Sequence, residues 1–199
     1  MVGRTKGETV RPTTSKVCSA AGNRRQELVE AAFAQIARKG LEGLRLREVA
    51  AAVDLDNSTL HHYFPTKEDL IANVVEYATG QLLTTLRPEG SPTDQIRRHL
   101  RLMARVMREW PELFVVLCEL NLRATRDPVV RTIIDRSDQG WRSFIKARLD
   151  EGAWPQGLDS IAGAELIIAA IKGIIFNPGI AADAFSQLER LLVDNKQEI

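Results

Sequence analysis

From Asn23 to the C-terminal end the apolar residues recur at intervals of three and four, and no useful length alternates with period two. That pattern restricts the chain to helices packed on helices. Leu28, Ala32, Phe33 and Ile36 fall on one face of a first helix, which Gly40 ends. Val49, Ala50 and Val53 predict a short second helix, and Leu60, Tyr63 and Phe64 a third. A fourth opens at Thr66, which can cap it while Asp69 reaches back, ahead of Leu70, Val74 and Tyr77. Pro65 disfavours helical geometry at Phe64 and so separates the third helix from the fourth. Further helices are predicted over 93–109, 112–125, 128–151, 159–176 and 180–195. They are punctuated by Arg87-Pro88-Glu89-Gly90, Pro111, Asp127-Pro128, Trp154-Pro155-Gln156-Gly157 and Asn177-Pro178-Gly179. Short linkers force sequential helices to pack together, so the expected fold is all-α with about nine helices.

Residues 1–22 lack the pattern. They are polar, rich in Gly, Thr, Ser and Lys/Arg, and read as a disordered arm whose Arg4, Lys6, Arg11 and Lys16 could touch phosphates. The 199 residues carry a net charge of only +1, but its distribution is uneven. Met1 to Lys67 holds eleven Lys/Arg against seven Asp/Glu, a local +4, which leaves −3 for the rest. This places the weak positive end where a nucleic acid would be met. Cys18 and Cys118 stand far apart in unlike contexts, with no CxxC pair and no His/Cys cluster at ligand spacing, so neither a metal nor a cofactor is expected. No apolar run approaches the ~20 residues that span a bilayer, and a cytoplasmic location is the expectation.

The stretch LRLREVAAAVDLDNSTLHHYFPTKEDL carries the chemistry. A helix-turn-helix needs a small residue in its first helix, a turn residue tolerant of left-handed geometry, and a good N-cap on its second helix. Ala50, Asp54 and Asp56 can meet these needs in turn, with Leu55 and Leu60 pointing to the core. The second helix then exposes Asn57, Ser58, Thr59, His61 and His62, short polar groups and imidazoles suited to phosphates and base edges in a major groove. Tyr63 and Phe64 are expected in the core, holding that helix.

From Arg25 to Leu70 the sequence resembles the N-terminal domain of the TetR family of bacterial transcription regulators. The resemblance rests on Arg38-Lys39-Gly40 ending the first helix, on Arg47-Glu48-Val49-Ala50, and on the run Ser58 to Leu70. It implies that Asn57, Ser58 and Thr59 face DNA at the start of the recognition helix, that His61 and His62 follow on its exposed side, and that Lys67 meets a phosphate at the start of helix four. It also implies a homodimer, a small-molecule effector and a double-stranded operator. The sequence departs from the family pattern at four places. Arg45 stands where a capping Thr or Ser is common and can offer a phosphate only charge, beside Arg47; Asp54 replaces a turn Gly, Asp56 a Ser, and His61 a Tyr.

The domains expected are therefore an arm (1–22), a helix-turn-helix domain (23–70) and an effector-binding and dimerisation domain (71–199). Residues 159–176 are apolar nearly all round, and 180–195 carry a stripe at Ala181, Ala184, Phe185, Leu188, Leu191 and Leu192. Two such helices can pair with their copies as a four-helix dimer interface. Met103, Met107, Trp110, Phe114, Leu117, Cys118, Asn121, Trp141 and Phe144 are the candidate pocket residues, implying an apolar or aromatic effector. The expected function is a sequence-specific DNA-binding regulator, a repressor released from a palindromic operator by that effector. No catalytic triad order, phosphate loop or paired carboxylates suggest an enzyme. The alternative is a ligand-binding or protein-interaction bundle with a degenerate helix-turn-helix, favoured by the negative charges of Asp54 and Asp56.

Overall fold

The computed structural model describes residues 20–152, 154 and 159–194, and every regular element among them is helical. The helices are α1 (Ala20–Lys39), α2 (Leu46–Ala51), α3 (Asn57–Tyr63), α4 (Lys67–Leu83), α5 (Pro92–Glu109), α6 (Pro111–Ala124), α7 (Pro128–Glu151), α8 (Ser160–Ile175) and α9 (Ala181–Glu189), the last continued by a π turn over Arg190–Asp194. Most of the expected spans recur within a residue or two. The main difference is at the start, where α1 opens at Ala20 and not Asn23. Arg4, Lys6, Arg11, Lys16 and Cys18 lie outside the described residues.

Local chemistry accounts for the helix ends. Asp56, Thr66, Ser91, Asp127 and Asp159 each cap a helix by accepting backbone N–H groups from its first turn. At α4 the bond is reciprocal: Thr66 Oγ1 accepts from Asp69 N–H at 3.0 Å, and Asp69 returns its carboxylate to Thr66 N–H at 3.0 Å. Pro92, Pro111 and Pro128 occupy first-turn positions where no N–H is needed. Gly40 takes φ 69° beyond α1 and returns its N–H to the Ile36 carbonyl at 2.8 Å.

The two halves share a continuous core. Leu28, Ile36, Leu60, Phe64 and Leu70 are fully buried in the first three helices and the start of α4. Helix α1 packs on α2, α4 and α6, while α4 runs on to pack against α7, and α7 against α8. A movement of α4 or α6 in the bundle is therefore transmitted to α1 by direct packing.

Candidate nucleic-acid interface and ligand cavity

The helix-turn-helix is held from below by Val49, Ala50, Leu60 and Phe64, all buried. Between α2 and α3 the chain turns through Asp54, whose φ of 57° makes it the left-handed residue of the turn. Leu55 then returns its N–H to the Ala50 carbonyl at 3.0 Å. Asp56 caps α3 with one oxygen, accepting from Thr59 N–H at 2.7 Å and from Ser58 Oγ–H at 2.6 Å. These bonds, the Ser58 hydroxyl first, draw the Asp56 pKa down to about 2, so the carboxylate stays charged and engaged.

Ser58, His61 and His62 are exposed on α3, and Asn57 and Thr59 half-buried beside them. Because Ser58 spends its single hydrogen on Asp56, its oxygen is left to accept. His61 Nδ1 lies 3.2 Å from the Pro65 carbonyl, an acceptor only, so Nδ1 carries the hydrogen and Nε2 points away. Arg47 is exposed on α2, and Lys67 is half-buried at the first position of α4. Arg45 precedes α2 without capping it; its guanidinium turns back to the Glu42 and Leu44 carbonyls at 2.7 and 3.2 Å.

A cavity of about 60 Å³ opens between α4, α6, α7 and α8. Its apolar wall includes Leu82, Leu117, Ile134 and Trp141, and its polar wall Thr79, Asn121 and Ser137. Asp138 of α7 and Lys172 of α8 also line it and form an ion pair with one another.

Residues 28–74 match the family model described as bacterial regulatory proteins, tetR family. That segment, about a quarter of the chain, carries the N-terminal domain pattern of the TetR family. It is 28% identical over 109 residues to the HTH-type transcriptional regulator RutR of Escherichia coli (strain K12), covering 53% of this chain and 51% of RutR. The chain thus spans about half the length of such curated relatives in these matches. Solved structures share the fold over most of its length. A TetR transcription regulator from Haloarcula marismortui superposes with a TM-score of 0.78 at 18% identity, covering 87% of this chain and 97% of that one. AibR, solved in complex with isovaleryl coenzyme A and operator DNA, gives 0.68 at 20% identity, covering 85% and 98%.

The nine candidate pocket residues divide. Leu117, Cys118, Asn121 and Trp141 line the cavity. Met103, Met107 and Phe114 are buried in the core, Trp110 packs on the Phe33 ring with centroids 5.4 Å apart, and Phe144 lies under the Arg148 guanidinium. None of these five lines the cavity, and α5 contributes no wall to it. Helical periodicity marks which residues are buried, not which of several inter-helix seams they enter. Beside its apolar and aromatic residues the wall thus also carries a charged pair, Asp138 and Lys172.

Three further residues escaped the sequence reading. Gln35 is 3% exposed and joins α1 to α2. Arg25 donates to the Tyr63 carbonyl at 2.6 Å and to Asn73 Oδ1 at 3.1 Å while lying 4.3 Å over the Phe64 ring, fastening the C-terminal end of α3 to α1 and α4. Glu119 of α6 accepts the Leu41 N–H at 3.0 Å. That bond runs from the helix bearing cavity residues Leu117, Cys118 and Asn121 to the segment that leads into the helix-turn-helix. Each of these partners lies far off in sequence, where only the folded chain shows the pairing.

The apolar surface of α8 also divides. Gly163, Ala164, Ile167, Ile168, Ile171 and Ile174 are buried. Ile161 and Leu166 are each 60% exposed and Phe176 71%, with Ile180 and Leu191 also exposed nearby in sequence. Among the described residues, no group of His, Cys, Asp and Glu is arranged to hold a metal, and no single helix is long and apolar enough to cross a membrane.

Proposed function

We propose that this chain is a sequence-specific DNA-binding transcription regulator, a cytoplasmic repressor that a small molecule releases from a palindromic operator. The observation that carries the reading is the recognition helix. A rigid buried underside (Leu60, Phe64) supports an outer face of Ser58, His61 and His62, flanked by Arg47 and Lys67. Such a face fits a major groove, with cations toward the phosphate rails and short polar groups toward base edges. The AibR structure, a neighbour in fold holding both operator DNA and an acyl coenzyme A, supports a ligand-responsive use of this architecture. Exposed apolar side chains on α8 and in the turn after α9 support a homodimer: Ile161, Leu166 and Leu191 would be removed from water by a second copy.

The mechanism follows from the packing. A ligand that binds the cavity in only one arrangement of α4, α6, α7 and α8 shifts the population toward that arrangement. Contacts of α4 and α6 with α1, including Glu119 on Leu41, pass the change to the recognition helices and alter their separation. The test is selection of bound fragments from the source genome by the full chain. Enrichment of fragments sharing an inverted repeat is expected; enrichment without a common sequence contradicts the reading.

A further inference from the structure

The cavity wall contains a charge relationship that bears on the ligand. Asp138 and Lys172 pair across the α7–α8 seam at the edge of an otherwise apolar and aromatic chamber. The two partners are not equivalent. Asp138 hangs on one methylene from α7 and its side chain is 20% exposed, so the carboxylate cannot leave the chamber without moving the helix. Lys172 stands on four methylenes and is 34% exposed, so its ammonium can swing into water at little cost. The fixed charge of the chamber is therefore negative.

A second ion pair lies one turn along α7. Arg142, one turn beyond Asp138, lies in the field of Glu165, Asp138 and Asp135 and is bonded to Glu165. Arg142 is thus engaged outside the chamber, whose charged lining residues are Asp138 and Lys172. An incoming anion would have to draw Lys172 away from Asp138, leaving a half-buried carboxylate unpaired. An incoming cation keeps the count unchanged when Lys172 moves out. Trp141 lines the wall and exposed Phe176 the rim, so aromatic rings stand close to such a group.

We propose that the effector is an organic cation, an amine or amidine on an apolar frame, whose charged head replaces the Lys172 ammonium on Asp138. The proposal rests on the reading of this chain as a ligand-responsive regulator and names the ligand class. At about 60 Å³ the cavity holds roughly two waters, so the frame must part Leu83 and Phe176, both exposed at the rim. That opening separates α4 from α8 and gives the ligand its preference for one arrangement.

The test uses one frame in three charge states, phenethylammonium, 2-phenylethanol and phenylacetate, with thermal unfolding of the full chain as readout. Three proteins are compared: wild type, Lys172→Met and Asp138→Asn. Phenethylammonium should stabilise wild type by about 2–4 °C at a large excess and Lys172→Met by more, with no response from Asp138→Asn. Lys172→Met is the more informative variant, because it leaves Asp138 without its internal partner. Equal or greater stabilisation by phenylacetate or 2-phenylethanol overturns the proposal, as does the absence of any shift in both wild type and Lys172→Met. The readout involves no DNA, so a failed charge series leaves genomic fragment selection intact, and a failed selection leaves the charge series to stand alone.

Discussion

The side-chain amide of Gln35 caps a helix to which it does not belong: its Oε1 accepts the backbone N–H of Arg45 at 2.6 Å, at the start of α2. Its Nε2 donates to Glu48 Oε2 at 2.6 Å, in the first turn of that helix, where Lys39 Nζ also reaches Glu48 at 2.6 Å. In a self-contained capping box the first-turn carboxylate would take the N-cap N–H itself. Here the N-cap is Arg45, which offers no oxygen, and Gln35 stands between the two groups. The Arg45 N–H that Glu48 would take in such a box is thus held from α1, and no Arg45 side-chain bond caps α2.

Gln35→Leu should therefore destabilise the fold by about 1–3 kcal/mol, because it strands a backbone donor and removes the anchor of Glu48. Gln35→Glu should be nearly as harmful, since it sets a second carboxylate against Glu48. Chemical denaturation with unchanged m-value is the measurement. A loss below about 0.5 kcal/mol for Gln35→Leu would mean that water or Arg45 itself serves α2 equally well.

Asp54 holds the left-handed position of the turn. Asp54→Gly should stabilise by up to about 1 kcal/mol, and Asp54→Val should cost at least about 1–2 kcal/mol, since a β-branched side chain meets its own backbone there. Asp54→Gly also removes a negative charge close to the proposed phosphates, so operator affinity should rise as well. Paired unfolding and DNA-binding measurements check both effects.

Buried His99 predicts an acid response. Its Nε2 accepts from Trp141 Nε1–H at 2.8 Å, so Nδ1 carries the hydrogen and donates to Thr85 Oγ1 at 2.9 Å. Burial pushes its pKa down from 6.5 to about 4. The folded state thus holds fewer protons than the unfolded state between these values, and stability is lost as pH falls from 6.5 through about 4. The slope from this one residue approaches about 1.4 kcal/mol per pH unit within that window. His99→Gln, whatever its cost at neutral pH, should flatten the dependence there. Asp56 acts lower, losing its contribution between 3.8 and about 2.

Glu119→Ala removes the acceptor of the Leu41 N–H and with it one link from the cavity helix to the helix-turn-helix. The coupling between ligand and DNA should fall by about 0.5–2 kcal/mol, seen as an operator affinity less responsive to ligand. Titrating DNA with and without saturating ligand measures it; unchanged coupling would place transmission on the other α1 contacts.

Much of this was legible because it is local. The small residue at Ala50, the left-handed Asp54, the cap at Asp56 and the box between Thr66 and Asp69 each depend on neighbours within a turn, and periodicity alone located the helices. Gln35, Arg25, Glu119 and the Asp138–Lys172 pair were not legible. A polar residue in an amphipathic helix reads as solvated until the helix packed over it is known. Which candidate pocket residues line the cavity was not legible for the same reason: Met103 and Phe114 are as apolar as Leu117 and equally periodic, but they are buried away from it.

The most direct test of DNA binding through this face is the salt dependence of affinity for a fragment recovered from the genome, measured for wild type and Lys67→Ala. Wild-type affinity should fall steeply with salt, and Lys67→Ala should reduce the slope by about one per recognition helix, or about two per dimer, with little change in sequence preference. Affinity insensitive to salt, or a slope that Lys67→Ala leaves unchanged, would contradict the placement of α3 and the start of α4 on DNA.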